Sequence, residues 1–356
     1  MAACLGSTCA TRLLLLLPLL LLALPAVLQA QFTYTTNNGT ITITKYTGPG
    51  GAVIIPETIN GLPVTSVGDG AFASWSDPGV TSVTIPDSVT SIGNSSFEMC
   101  YSLSKVTIPT NLASIGAGAF YFCSHLTDVA IPQSTTNIGS EAFIGCASLR
   151  AIMVDALNSA YSSVDGVLLN KSQTKLIQYP GGKAASYTIP NSVTSIGERA
   201  FAVTSSLTNV TIVNSVTNIG DGAFDSCKNL KGVYFGGNAP GLGGSSVFTG
   251  DTSAIVYYLP GTTGWGTAFG GPPTALWFLP NPLILPSGPG FGVQSNAFGF
   301  IISWATNLPV VVEASTSLAN PTWSPVSTNT LTSGSAYFSD PQWTNYPVRF
   351  YRLRSP

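Results

Sequence analysis

Several short motifs return in this chain at one interval of 23 residues. The pair Ile-Pro stands at Ile85-Pro86, Ile108-Pro109 and Ile131-Pro132, and again at Ile189-Pro190. The same interval leads from Ile131 to Val154, and from Ile189 to Ile212 and Phe235. Twelve positions after this column (Ile85, Ile108, Ile131, Ile189 and Ile212) comes a phenylalanine: Phe97, Phe120, Phe143, Phe201 and Phe224. A third column is Ile-Gly, at Ile92-Gly93, Ile115-Gly116, Ile138-Gly139, Ile196-Gly197 and Ile219-Gly220. Independent columns that keep one period restrict the chain to a repeat architecture in which each unit is one rung of a solenoid.

Within a rung, Leu103 leads into a strand where Val106 and Ile108 alternate inward while Lys105 and Thr107 point out. Pro109 ends the pairing because it has no N–H. Phe120 closes the core after the turn at Ile115-Gly116. A single rung cannot bury its own apolar face, so the rungs stack and their strands form a parallel sheet. The expected fold is β-rich: a solenoid with a 23-residue period, followed by a small all-β sandwich.

The segment from Val83 to Phe97, VTIPDSVTSIGNSSF, resembles the BspA-like leucine-rich repeats of bacterial surface and secreted proteins. The resemblance covers about 41–260. It implies secretion or surface display, and adhesion or ligand contact through the repeat surface. It brings no catalytic residues.

The period breaks in two places. Extra residues lie around Trp75-Ser76-Asp77-Pro78, and Val164 to Pro180 reads as a hairpin that replaces or joins a rung. At the N-terminal end of the stack, Asn38-Gly39 between alternating strands signals a capping hairpin. At the other end, Ala254 to Pro260 reads as the last rung, with Trp265 covering the final core layer. Arg12 is the only charge among the first 44 residues, Leu13 to Leu24 is apolar, and Leu28-Gln29-Ala30 suits cleavage. Residues 1–30 are therefore expected to be a secretory signal peptide, with no membrane span in the mature chain. The expected divisions are 31–278 for the solenoid with its caps, 279–290 for a Pro- and Gly-rich linker, and 291–356 for the sandwich, which is similar to fibronectin-like modules. Arg349, Arg352 and Arg354 read as a solvated strand end.

Only 8% of residues are charged and the net charge is −2, where about 25% charged is usual. Such a surface does not steer toward nucleic acid or acidic lipid. Cys100, Cys123, Cys146 and Cys227 share one repeat position, three after the phenylalanine. They read as a column of buried thiols in preference to a disulfide, and a ladder cannot converge on a zinc ion. His125 is the only histidine and falls in a loop. The 15 carboxylates are scattered; Asp155 and Asp165 near the irregular hairpin read as turn residues, not as a glycosidase pair. No phosphate-loop or dinucleotide motif is present, and no cofactor is expected.

The reading is a non-catalytic repeat protein, secreted or on the cell surface, that binds an extracellular protein or glycan. The expected contact face is the outward side of the strands: Thr84, Thr107, Thr188, Thr211 and Tyr234, with Lys105, Asp128 and Asn209 in the neighbouring column. The alternative is a carbohydrate-binding or carbohydrate-processing protein, favoured if aromatic residues gather on one exposed face. Trp75 and Tyr161 are candidates, in different insertions. A flat mineral- or ice-binding face would need unbroken outward Thr columns, and Ala130, Met153 and Tyr234 interrupt them.

Overall fold

The computed structural model describes residues 31–73, 79–286, 288, 290–304 and 308–355. The expected signal peptide and Trp75 lie outside these residues. The chain divides into two compact units, Met1–Lys171 with Pro180–Gly182, and Ser172–Tyr179 with Lys183–Pro356.

The first unit opens with an antiparallel hairpin, Phe32–Asn37 against Thr40–Tyr46. Its turn holds Asn38 and Gly39 at φ 48° and 78°, the left-handed pair that an Asn-Gly hairpin turn requires. Thr40–Tyr46 then pairs in parallel with Leu62–Val67, so the hairpin covers the end of the stack. From there each rung contributes one long and one short strand. The long strands Gly51–Ile54, Val80–Thr84 and Lys105–Thr107 form one parallel sheet, and Asp128–Ile131 pairs with Ala151–Val154. The short strands Ser91–Ile92, Ser114–Ile115 and Asn137–Ile138 continue the sheet begun by Leu62–Val67. The pairing has the period of the sequence: Ser82 faces Lys105, Ser91 faces Ser114, and Asp128 faces Ala151.

Three columns fill the core. Phe72, Phe97, Phe120 and Phe143 stack with ring centroids 4.8, 5.2 and 5.6 Å apart. Cys100, Cys123 and Cys146 are buried free thiols. Each thiol donates to a phenylalanine carbonyl on the preceding rung, Cys123 Sγ to Phe97 O at 3.0 Å and Cys146 Sγ to Phe120 O at 3.1 Å. A small apolar side chain that is also a weak donor suits a slot beside a carbonyl with a second lone pair to offer, since Phe97 O and Phe120 O also accept the N–H of Cys100 and Cys123. Burial pushes the Cys146 thiol up to about 12, so it stays protonated and inert.

The glycines explain the third column. A Cβ on Gly116 would lie 2.4 Å from the carbonyl carbon of Gly93, and one on Gly139 would lie 2.3 Å from the backbone nitrogen of Ala117. Successive turns touch backbone to backbone at this point, and any side chain would push the rungs apart. One inward position departs from the alternation. Ile108 is half-buried and Pro109 is buried in its place, because the strand Lys105–Thr107 ends one residue earlier.

The expected first arm, Val164 to Leu169, is itself folded into a hairpin that begins earlier, Tyr161–Val164 against Val167–Asn170. Its turn residues Asp165 and Gly166 sit at φ 50° and 73°.

The second unit repeats the scheme. The long strands Ser186–Thr188, Asn209–Ile212, Gly232–Phe235 and Ile255–Tyr258 pair in parallel, and so do the short strands Lys175–Gln178, Ser195–Ile196, Asn218–Ile219 and Gly241–Leu242. Ala254 to Pro260 is not the last rung. Thr274–Leu276 adds a further parallel strand beside Ile255–Tyr258; its Thr274 pairs with Val256 after a shorter, non-periodic connection that the repeat does not announce. Trp265 covers the core as expected, with its ring centroid 4.9 Å from Phe235, 5.2 Å from Tyr258 and 5.0 Å from Phe269.

Beyond it stand two antiparallel sheets. Ala297–Ser303 pairs with Ser335–Asp340, Leu283–Leu285 and Gly292–Gln294; Pro309–Ser315 pairs with Ser324–Thr330 and Phe350–Arg354. They share a core of Phe300, Ile302, Val310, Val312, Leu331 and Phe338, which makes a small sandwich. Leu283–Leu285 falls within the Pro- and Gly-rich stretch and supplies a strand there. Arg352 and Arg354 are exposed at the strand end, as read, yet both are ion-paired, and Arg349 is half-buried. Arg352 and Arg354 each lie 2.8 Å from the buried carboxylate of Glu313, and Arg349 lies 3.1 Å from Asp340. Strand pairing sets Arg352 opposite Glu313, and the hydrogen bonds from Arg354 and Arg352 hold the Glu313 carboxyl below its ordinary range.

Phe120→Ala is expected to cost about 3–5 kcal/mol in denaturant unfolding, as for other large buried aromatics. Gly116→Ala is expected to cost about 1–3 kcal/mol through overpacking. Lys105→Ala on the outward side should change stability by less than about 0.5 kcal/mol; equal losses at Phe120 and Lys105 would contradict the inward and outward assignment.

Candidate functional site

The eight outward residues fall four to each unit. In the first unit, Thr84 and Thr107 are exposed and stand side by side in register. Lys105, also exposed, pairs with Ser82, and exposed Asp128 begins the next strand pair opposite Ala151. The row is not a pure threonine ladder. Ile54, beside Thr84, is 56% exposed, and Met153, beside Ala130, is 55% exposed.

In the second unit the row runs Thr188, Thr211, Tyr234, Tyr257 and Ala275 across five parallel strands. The neighbouring column runs Ser186, Asn209, Gly232 and Ile255. Thr188 is exposed; Asn209, Thr211, Tyr234 and Tyr257 are half-buried. Asn209 spends its side-chain amide on the Thr208 hydroxyl at 3.0 Å.

Here the structure gathers aromatic residues that the sequence did not connect. The rings of Tyr234 and Tyr257 are stacked, 4.8 Å apart and inclined by 9°, and the Trp277 ring lies 5.2 Å from Tyr234 at 51°. Trp277 is held by its backbone, whose N–H donates to the Tyr258 carbonyl at 2.8 Å. Tyr257 could have been found by adding one more period to Tyr234. Trp277 follows the unannounced strand Thr274–Leu276 and had no such signal.

Of the earlier aromatic candidates only Tyr161 is among the described residues. Tyr161 is half-buried and its hydroxyl accepts the backbone N–H of Ile138 at 2.9 Å. Trp75 lies outside the described residues. His125 is exposed, and its Nδ1 is engaged with the Tyr101 carbonyl. Asp155 caps a local turn by accepting the N–H of Leu157 at 2.8 Å, and Asp165 sits in the left-handed hairpin turn.

The family model for the BspA type leucine-rich repeat region matches 53–164 and 179–262 in six copies, more than half of the chain. The chain belongs to the BspA-type leucine-rich repeat family. No curated protein matches it. Among solved structures, it is similar to a leucine-rich cell surface protein from Faecalibacterium prausnitzii, at 28% identity over 64% of this chain and 80% of that one, with a TM-score of 0.32. A leucine-rich repeat protein of T. pallidum is 29% identical over 58% of this chain and 83% of that one, with a TM-score of 0.37. One from Bacteroides capillosus is 31% identical over 35% of this chain and 95% of that one, with a TM-score of 0.33.

Among the described residues, no group of His, Cys, Asp or Glu is placed to hold a metal ion, and no helix is long and apolar enough to cross a membrane. The BspA-type core of the second unit contains one unusual titratable group. Thr204, Cys227 and Asp251 occupy the column filled by cysteines in the first unit. Asp251 is only 7% exposed and neither carboxylate oxygen has a hydrogen bond. Burial raises its pKa to about 7; the Cys227 backbone N–H opposes that shift in part, and Asp225 adds to it. In turn, burial and the Asp251 charge both raise the pKa of the Cys227 thiol.

A carboxyl that titrates higher in the folded chain than in the unfolded one binds more protons when folded. Its contribution is therefore favourable at low pH and is lost as pH rises from the unfolded value of 3.8 toward about 7. Asp251→Thr, which restores the residue at Thr204, should stabilise the chain by about 1–3 kcal/mol more at pH 8 than at pH 5. The check is denaturant unfolding of both proteins at both pH values; an equal gain at the two pH values would contradict a titrating buried carboxyl.

Proposed function

We propose that this chain is a non-catalytic binding protein of the cell surface or the extracellular medium, which engages an extracellular protein or glycan through the outward strand face of its solenoid. One observation carries the reading: Thr188, Thr211, Tyr234 and Tyr257 stand in register on consecutive parallel strands, with no hydrogen bond from their hydroxyls to the rest of the described chain. Side chains fixed at each rung by the sheet lose little freedom on contact, so weak contacts repeated along the face add effectively. Membership of the BspA-type family and similarity to a bacterial leucine-rich cell surface protein support the extracellular setting. In this reading 1–30 is the export signal, 31–278 is the binding solenoid, and 279–290 is a Pro- and Gly-rich connection whose Leu283–Leu285 already pairs with the accessory sandwich of 291–356.

Two measurements test it. Mass spectrometry of the exported protein should find an N-terminus at or near Gln31; a product that keeps Met1 and remains in the membrane would contradict export by a cleaved signal. On an array of matrix proteins and glycans, Thr107→Lys with Thr211→Lys should weaken binding about tenfold, equal to 1.4 kcal/mol, with the melting temperature nearly unchanged. Undiminished binding by the folded variant would place the contact elsewhere.

A further inference from the structure

We propose that Arg349, in the C-terminal sandwich, anchors a binding site for a single carboxylate group, with the hydroxyls of Thr316, Thr322 and Ser324 as its further donors. The inference goes beyond the outward-face reading and does not depend on it.

The guanidinium is held before any ligand arrives. Its Nε lies 3.1 Å from Asp340 Oδ2. The same oxygen accepts the Tyr351 hydroxyl at 2.9 Å, and Asp340 Oδ1 accepts the N–H of Gln342 at 2.9 Å. The guanidinium carbon lies 4.2 Å from the centroid of the Tyr346 ring and 5.9 Å from that of Tyr351. Asp340 is buried and both its oxygens are engaged. It therefore fixes one edge of Arg349 and leaves the terminal edge, Nη1 with Nη2, for another partner.

On that edge Nη1 is buried and has no hydrogen bond. A buried donor left without an acceptor is costly, and folded chains keep few of them. The neighbouring arginines differ. Arg352 reaches Glu313 through both Nε and Nη2, and Arg354 reaches it through Nε. Both are exposed, so water serves their remaining N–H groups. Arg349 alone of the three presents an unmatched N–H inside a wall of the sandwich.

The space beside it selects the ligand class. Arg349 and Val326 line two cavities, of about 270 and 410 Å³. The smaller one also carries Thr316, Thr322 and Ser324, exposed side chains whose hydroxyls have no hydrogen bond to the described chain. Nη1 itself is closed to water, so the ligand reaches it by displacing Val326, which is 37% exposed. A carboxylate is planar and accepts two parallel N–H bonds from the end of a guanidinium. Its remaining lone pairs then face the three hydroxyls. The charged side chains of 291–356 are three arginines and two carboxylates, Glu313 and Asp340, which leaves one positive charge. With Asp340 already on one edge of Arg349, that balance favours an anion of single charge over a phosphate dianion.

The test is calorimetric titration of the full mature chain with glucuronate and with N-acetylglycine, which present a carboxylate on a sugar and on a peptide unit. Glucose, N-acetylglycinamide and inorganic phosphate are titrated alongside. At least one of the two carboxylates should bind with a Kd of about 1 mM or tighter, and its neutral counterpart about tenfold more weakly or not at all; the one that binds tells the sugar source from the peptide source. Arg349→Lys keeps the charge but loses the planar edge, and should weaken binding about tenfold. Thr322→Ala with Ser324→Ala removes two exposed hydroxyls that the fold does not use. It should weaken binding several-fold with the melting temperature unchanged. Thr107→Lys with Thr211→Lys, on the solenoid face, should leave this binding as it is. The proposal is overturned if neither carboxylate binds, if the neutral counterparts or phosphate bind as tightly, or if the folded Thr322 and Ser324 variant binds undiminished. Loss of binding on changing Thr107 and Thr211 would also overturn it, since the ligand would then sit on the strand face.

Discussion

The backbone of each turn rests directly on the backbone of the turn before it. Gly116 donates its N–H to the Ile92 carbonyl at 2.8 Å, Gly139 donates to Ile115 at 2.8 Å, and Phe97 and Phe120 donate to Ala119 and Ala142, each at 2.8 Å. This approach leaves no room for a Cβ at the glycine column. It brings each phenylalanine within stacking distance of the next and places each cysteine thiol over the carbonyl of the preceding rung. The stability of such a stack is approximately the sum of rung and neighbour terms, so a fault in one column acts through its contacts with both adjacent rungs.

The same spacing makes the outer face. Side chains that point away from the core are carried at rung intervals by strands whose own polar groups are already paired. Short polar residues on such strands form a flat, rigid surface with few charges. Where the row changes from threonine to tyrosine, the rung interval brings Tyr234 and Tyr257 to 4.8 Å, a contact no flexible loop would hold. The tyrosine pair is a by-product of the stacking that builds the core, with Gly232 leaving room for one of its rings.

The parts legible in the sequence are those governed by the period. The phenylalanine and cysteine columns, the Asn38-Gly39 hairpin and the outward alternation follow from local pattern and repeat position. Asp251 sits one residue out of period, 24 after Cys227, and is aligned only through Phe248. Trp277 reaches Tyr234 through a strand that pairs Thr274 with Val256, outside the repeat. The ion pairs of the exposed arginines on the last strand were not legible, because their carboxylate partner, Glu313, lies about forty residues away on the neighbouring strand of the same sheet, and such pairing leaves no local trace. Glycine was legible as a column, but its cause, contact between the backbones of successive turns, becomes visible only when rungs are placed on one another.

Residue-resolved amide hydrogen exchange on the full chain tests the stacking account most directly, because exchange reports which backbone bonds must open and at what cost. The N–H groups of Gly116, Phe120 and Gly139 belong to turns that look like exposed loops in sequence. The account predicts that they exchange as slowly as the core strand amides of Val106 and Val129. Exchange of those turn amides at the rate of unprotected loops, with the strands still protected, would show that the turns are not bonded rung to rung and would contradict it.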